Sequence, residues 1–446
     1  MFLAMAVVLT ACETGTTGAI SDGTVITNVR MISPYDKDVY KNYPFKIDTV
    51  NNEIYNEDSL AYGTRVDSLA PVLTPIFASA VIDGGEINLY DKDTVFVDFT
   101  KEHTLTVTAS DTTKKRTYRI RVNVHQVNPD SLAWKFQGGV TDTDIKDDKC
   151  VATENGFMVW MMNNGGTLQI LQSMNGQRWS DCTTEGIDND VEEIDIAHAI
   201  VLDEQVCMMA GMTLYTSSGD EGDINNWNKT ETTSSVELEH LLFALNGKVY
   251  ALGKGNKILR LTDTQWETTA DMPTGFPVTG ETTCTGKSPS GAWRAFVAFG
   301  IDEMGNYLSD VWSTEDGAYW VKLTMTDSLI TPRAYAGMAQ YASGLMLMGG
   351  LDDNGKMVDD NYMYSKDYGV TWQKVDDVFT TDSTEQHIFS RRSNHSVVAT
   401  QDGYIVVLGG ITYSVQNQAI PSRIDSYRTT NMWKGIHYAS LPGFRK

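Results

Sequence analysis

Apolar and polar residues alternate along the first part of the chain with the period of a strand buried on one face. Tyr118, Ile120, Val122 and Val124 are separated by Arg119, Arg121 and Asn123. Thr104–Ala109 alternates in the same way, and the polar stretch Asp111–Lys115 joins the two runs into an expected hairpin. Thr94–Phe99, Pro44–Thr49 and Glu53–Asn56 read as further short strands. No helical period interrupts them, so residues 24–130 are expected to form a β-sandwich.

From Ser131 onward the pattern changes to a repeat. Apolar runs, most of them ending on Gly, are each followed by a polar hairpin and then a Trp. The runs are Gly156–Met162, Gln205–Gly211, Gly247–Gly253, Arg294–Gly300, Gly344–Gly350 and Gly403–Gly410. The tryptophans are Trp179, Trp227, Trp266, Trp320, Trp372 and Trp433. Their spacing brackets the ~40–50 residues of a four-stranded propeller blade. Six units predict a six-bladed β-propeller over residues 131–446, with seven blades the alternative. Ser131–Phe136 is strand-like and stands outside the repeat. It is expected to join the closing blade, because a ring of sheets must hide its last edge. The fold class read from these patterns is all-β.

Particular residues sharpen that reading. Ser365–Trp372 has the form S-x-D-x-G-x-T-W, with Ser365, Asp367, Gly369 and Trp372 at the defining positions. It resembles the Asp-box of sialidases and other β-propellers, which implies a structural staple and no catalytic part. Ser313, Asp316, Gly317 and Trp320 form a looser match with Glu315 at the Asp position, and Ser173–Trp179 is one residue short. The double glycines Gly349-Gly350 and Gly409-Gly410, with Arg333 and Arg392 ahead of them, resemble kelch repeats. The segment from Leu105 to Val124 resembles the small Ig-like modules of Bacteroidota surface lipoproteins. The chain as a whole is similar to lipoproteins of that phylum pairing an Ig-like module with a kelch-like or Asp-box propeller. The antibody pattern Cys…Trp…Cys is absent from the first domain, which reads as a spacer.

Composition narrows the partners. The 446 residues are 41% hydrophobic, enough for a sizeable core, and carry a net charge of -23 with a pI of about 4.6. Such a charge disfavours nucleic acid and anionic lipid, both polyanions. Met1–Ala11 is apolar, and Leu9–Cys12 resembles a bacterial lipobox, which implies lipidation at Cys12 and a signal and tether over residues 1–23. No basic segment precedes it, which suggests a start further upstream. No other apolar run approaches the ~20 residues that span a bilayer. The expected location is the bacterial cell envelope, with membrane attachment through the lipid alone. Cys150, Cys182, Cys207 and Cys284 form no CxxC pair or metal-type spacing and are expected as buried thiols, a Cys150–Cys182 disulfide being conceivable.

The search for chemistry yields candidates and no complete catalytic set. Sialidases clamp a carboxylate with three arginines, and the first-arginine motif F/Y-R-I-P is missing here. Kelch resemblance raises the copper site of galactose oxidase. His198, His240 and His395 stand at or just before innermost strands, where they could approach the axis. Packing is the preferred reading for all three, and no cofactor or resident metal is assigned. His198, His240, His395, Arg333 and Arg392 are kept as candidate ligand-binding residues. Asp302-Glu303, Asp352-Asp353 and Asp359-Asp360 read as solvated hairpin loops. Tyr319, Tyr335, Tyr362, Tyr364, Tyr368, Tyr404, Tyr413 and Tyr427 gather in the last three units, most of them expected in the core. The function expected is non-catalytic recognition of a glycan or an envelope protein, with a glycoside hydrolase or metal oxidase as the alternative.

Overall fold

The computed structural model describes residues 23–35, 43–87, 95–126, 128, 131–139, 145–188, 191–218, 224, 226–288, 290–323, 330–358, 362–375, 377–379, 391–413, 426–428 and 431–437. Cys12, Asp359 and Asp360 lie outside them, as do the side chains of Tyr413, Tyr427 and Trp433. The fold is all-β, and the one helical turn among the described residues is Val191–Glu193. The chain divides into two compact units between Pro129 and Asp130.

The first unit contains a six-stranded sheet in the order Lys46–Asp48, Glu53–Tyr55, Lys115–Ile120, His103–Thr108, Ser79–Ile82 and Gly85–Glu86. A two-stranded sheet pairs Asn28–Ile32 with Ala70–Thr74. The expected hairpin is the antiparallel pair His103–Thr108 and Lys115–Ile120. Leu105, Val107, Tyr118 and Ile120 alternate inward and are buried with Met31, Leu69 and Phe99 in one core. The Thr94–Phe99 run does not form a strand in its described part. It contributes an isolated bridge from Val97 to Leu69 and the buried ring of Phe99.

Among the described residues the second unit has six sheets of four or five strands, and a two-stranded pair of Ile411–Tyr413 with Ser426–Arg428. Five of the six take consecutive strands: 147–181, 194–231, 233–271, 282–322 and 337–374. The sixth joins Ser396–Ala399, Ile405–Leu408 and Asn431–His437 to Leu132–Gly139, which is also flanked by Asp377–Phe379. The segment ahead of the repeat therefore does supply a strand to the last sheet.

Alternation along the second strands explains their continuous apolar character. In the first sheet Val159 and Met161 pack on Val206 and Met208 of the second. Met158, Trp160 and Met162 point the other way, onto Val406 and Leu408 of the sixth. Cys207 and Met209 meet Val249 and Ala251, and Leu252 meets Val297. Phe296 and Ala298 meet Leu345 and Leu347, and Met346 and Met348 meet Ile405 and Val407. Six interlayer cores thus connect six sheets in a closed cycle. Each fully buried Leu, Val or Met contributes about 1.5–3 kcal/mol, so a strand covered on both faces gains from every residue.

Candidate functional site

The innermost strands line a cavity of about 580 Å³ that runs their length. At one end of it, turns before the strands are tied to each other. Tyr335 N–H donates to Gly280 C=O at 2.7 Å, and Asn394 N–H donates to Tyr335 C=O at 2.9 Å. Gly280, Tyr335 and Asn394 share a left-handed backbone, with φ of 65°, 59° and 50°. The same step therefore recurs in the fourth, fifth and sixth sheets, and a residue just after it is held near the hub.

Charged groups converge at this end. His198, from the second sheet, stacks on His240, from the third, with ring centroids 3.9 Å and planes 21° apart. His198 Nδ1 lies 2.8 Å from Asp195 Oδ2, and His240 Nε2 lies 2.5 Å from Glu281 Oε1 of the fourth sheet. The Glu281 side chain is 1% exposed and its Oε2 has no hydrogen-bond partner. Burial opposes its ionisation, but the bond to His240 and the charges of His240 and His198 outweigh it and hold its pKa at about 2. Burial likewise opposes the charged form of His240, and Glu281 raises its pKa in spite of it. Asp195 is kept below the usual carboxylate range by its bond to His198, again against burial. Lys149 of the first sheet lies on the cavity wall, where burial lowers its pKa while Asp195 and Glu281 favour its charge. The hub that sequence reasoning left chemically idle is a network of ion-paired groups.

The structure separates the candidate residues. His198 and His240 belong to this network. His395 does not. It is 6% exposed and packs against the backbones of Gly349 and Gly410. Burial first, then the charges of Arg392 and Lys149, depress its pKa to about 3, so it is neutral. Arg333 and Arg392 are 0% and 1% exposed. Their Nη1 atoms donate to the carbonyls of Gly349 and Gly409 at 3.2 and 3.1 Å. Those arginines brace the double-glycine corners and present no surface to a ligand. Glycine is required there because both φ angles are positive and a Cβ would run into Arg392 O at Gly349 or Asp148 Oδ2 at Gly409.

Sequence reasoning missed Glu281, Asp195 and Lys149. A signal existed for Glu281: Gly280-Glu281 precedes an innermost strand in the same way as Asn394-His395.

The turns at Ser365–Trp372, Thr314–Trp320 and Ser173–Trp179 are held by side-chain to backbone hydrogen bonds. Gly369 N–H donates to Ser365 Oγ at 2.6 Å, and Thr371 N–H and Oγ1 donate to Asp367 at 2.8 and 2.6 Å. Trp372 is half-buried and meets Phe299 edge-on at 5.9 Å. In the fourth sheet the register differs from that expected. Thr314, and not Ser313, supplies the hydroxyl, accepting from Gly317 N–H at 2.8 Å. Asp316 accepts from Ala318 and Tyr319, and Trp320 Nε1 donates to Gly317 C=O at 3.3 Å. Ser173, Asn175, Gly176 and Trp179 repeat that shorter form in the first sheet. Ser313 instead lies in the preceding strand, buried.

Other candidates resolve into structure. Asp302 and Asp352 accept backbone N–H groups of their own turns, from Met304 and Asn306 and from Asn354 and Lys356. Tyr362, Tyr364 and Tyr368 are in the core, Tyr335 lines the cavity and Tyr319 is exposed. Tyr404 lies under the Lys434 ammonium, 4.0 Å from its ring centroid. The four described cysteines are free thiols.

Among solved structures the chain is similar to "Structure of YjhT", at 14% identity and a TM-score of 0.44, over 66% of this chain and 95% of that one. No curated protein matches it. Residues 128–441 match the DUF6242 beta propeller domain, and residues 22–122 match the DUF6242 N-terminal domain, a domain of unknown function. On those two matches the chain belongs to the DUF6242 family.

Proposed function

We propose that this protein is a non-catalytic binding module of the bacterial cell envelope, which takes a glycan or an envelope protein at its propeller hub. The observation that carries this reading is the state of the hub carboxylates. A glycoside hydrolase working through a carboxyl pair needs one of the two held protonated as the acid. Asp195 and Glu281 are both held ionised by histidines. The cavity beside them offers polar anchors at one end and the ring of Trp293, 36% exposed, on its wall. A flat apolar face with nearby polar groups suits sugars and protein side chains alike. The acidic charge argues against nucleic acid.

The rest of the proposal concerns placement. Cys12 carries the lipid, the first domain is an Ig-like spacer, and the propeller has six blades of mixed kelch-like and Asp-box type, as in Bacteroidota surface lipoproteins. The sequence Leu9–Cys12, the core shared by the first unit's strands and the closed cycle of interlayer cores support these points.

A glycan array and a pull-down from envelope extracts, both with residues 24–446, test the binding reading. Retained ligand should be lost in Trp293→Ala and Lys149→Met. Capture unaffected by either change would move the site off the hub, and turnover of a glycoside panel would replace binding with catalysis.

A further inference from the structure

Three consecutive sheets each deliver one metal-type ligand to the same point. His198, His240 and Glu281 offer ligand atoms that all lie within 4.8 Å of one another. Two imidazoles and a carboxylate form a donor set suited to zinc and its first-row neighbours. We propose that His198, His240 and Glu281 bind a divalent transition cation of the zinc type at the propeller hub. This does not rest on the ligand reading above, and zinc uptake is read with no glycan or partner present.

Two further observations point to a cation and away from a self-contained ion-pair cluster. The first is Asp195. Its carboxylate takes the Nδ1 side of His198 at 2.8 Å, which leaves the Nε2 lone pair directed elsewhere. A carboxylate behind a histidine is the usual support of a histidine bound to metal, since it fixes the tautomer and strengthens the donor. The second is Glu281. Its side chain is buried, only one of its oxygens is bonded, and Oε2 is left without a partner. A buried unpaired carboxylate oxygen is costly, by about 1–3 kcal/mol or more. A cation held beside it removes that cost.

The geometry needs small adjustment. Bonds of ~2.0–2.2 Å place tetrahedral ligands roughly 3.4 Å apart, so the widest of the three separations, at most 4.8 Å, shortens, while His240 Nε2 and Glu281 Oε1, now 2.5 Å apart, separate to admit the ion. The face-to-face stack of His198 and His240 opens as each nitrogen turns to the ion, and the Glu281 proton partner is exchanged for the metal. Binding releases the proton shared between His240 and Glu281. His198 and Glu281 line the cavity, from which water or a ligand group can complete the shell. Lys149 opposes the added charge, and Asp195 and Glu281 offset it.

Metal analysis of the full chain after equilibration with Zn²⁺ and removal of free ion tests the proposal. One equivalent per chain is expected, and substitution with Co²⁺ is expected to give the intense visible bands of a four-coordinate nitrogen and oxygen site. His198→Ala and His240→Ala should each weaken zinc binding at least about 100-fold, and Asp195→Asn about 10–100-fold. His395→Gln should bind as the native protein does. The His198 side chain is 35% exposed, so its removal leaves the fold intact even if the buried His240 cannot be replaced. Absence of stoichiometric uptake by the native chain overturns the site, as does an affinity unchanged in His198→Ala.

Discussion

Arg333 Nη1 donates to the carbonyl of Gly349 at 3.2 Å, with the whole arginine at 0% exposure. Arg333 Nε also donates to Thr331 C=O at 3.0 Å, and its guanidinium lies 5.8 Å from the Phe299 ring centroid. One side chain thereby ties the approach to the fifth sheet to the corner after its second strand. Arg333→Met keeps most of the volume and strands the Gly349 carbonyl. A loss of about 2–3 kcal/mol is expected in urea unfolding of the propeller. A change below 0.5 kcal/mol would show that the corner holds without it.

The partner of that corner in the sixth sheet gives a second test. Gly409 has φ of 62°, and a Cβ there would overlap Asp148 Oδ2, which also accepts from Trp160 Nε1 at 3.2 Å. Gly409→Ala combines a left-handed penalty of about 1–2 kcal/mol with displacement of a buried carboxylate. A fall of at least about 3 kcal/mol is expected, with red-shifted Trp fluorescence as the seam loosens. Gly403→Ala, where a Cβ meets nothing within 4 Å, should show the backbone term alone.

The turn register in the fourth sheet can be decided by a pair of substitutions. Thr314→Ala removes the acceptor of Gly317 N–H and should cost about 1 kcal/mol. Ser313→Ala should cost less. The opposite order in thermal denaturation would restore the register first expected from the sequence.

His395 makes stability depend on pH. Its folded pKa is about 3 against an ordinary 6.5, because burial and the charges of Arg392 and Lys149 oppose protonation. Below pH 6.5 the unfolded chain takes up a proton that the folded chain refuses. Stability is therefore complete above that value and declines as pH falls toward 3. Between pH 7 and pH 5 this one group should remove about 2 kcal/mol. His395→Gln should flatten that part of the profile, and an unchanged slope in the variant would assign it elsewhere.

Much of this architecture was legible because it is carried by local pattern. An apolar run covered on both faces needs no polar position, so Gly344–Gly350 and Gly403–Gly410 stand out in the chain. The S-x-D-x-G-x-T-W turn around Asp367 states its own hydrogen bonds. The closing strand could be inferred because Leu132–Phe136 is apolar yet belongs to no repeat. The hub was legible only in part. His198 and His240 are rare residues near the expected strand starts, and the structure places them inside Ile194–Leu202 and Leu238–Leu245, whereas Glu281 is one of 58 acidic residues and its role exists only after three sheets bring it to the axis. Thr314 was overlooked because Glu315 imitates the missing Asp of the longer motif. Arg333 and Arg392 were visible, but exposure, which decides between ligand contact and bracing, is not a property of the local sequence.

The strand Leu132–Gly139 lies between Asn431–His437 and Asp377–Phe379, one partner near the end of the second unit and both far downstream of it. During synthesis this segment is the first of the second unit to emerge and waits longest for its partners. Until residues 377–379 follow it the strand has neither partner, and until residue 437 follows it one whole edge stays unpaired, open to chaperones or to a neighbouring molecule's unfinished ring. A nascent chain released early would expose both halves of that zipper, so quality control of this protein should act on truncated forms long before it acts on point variants.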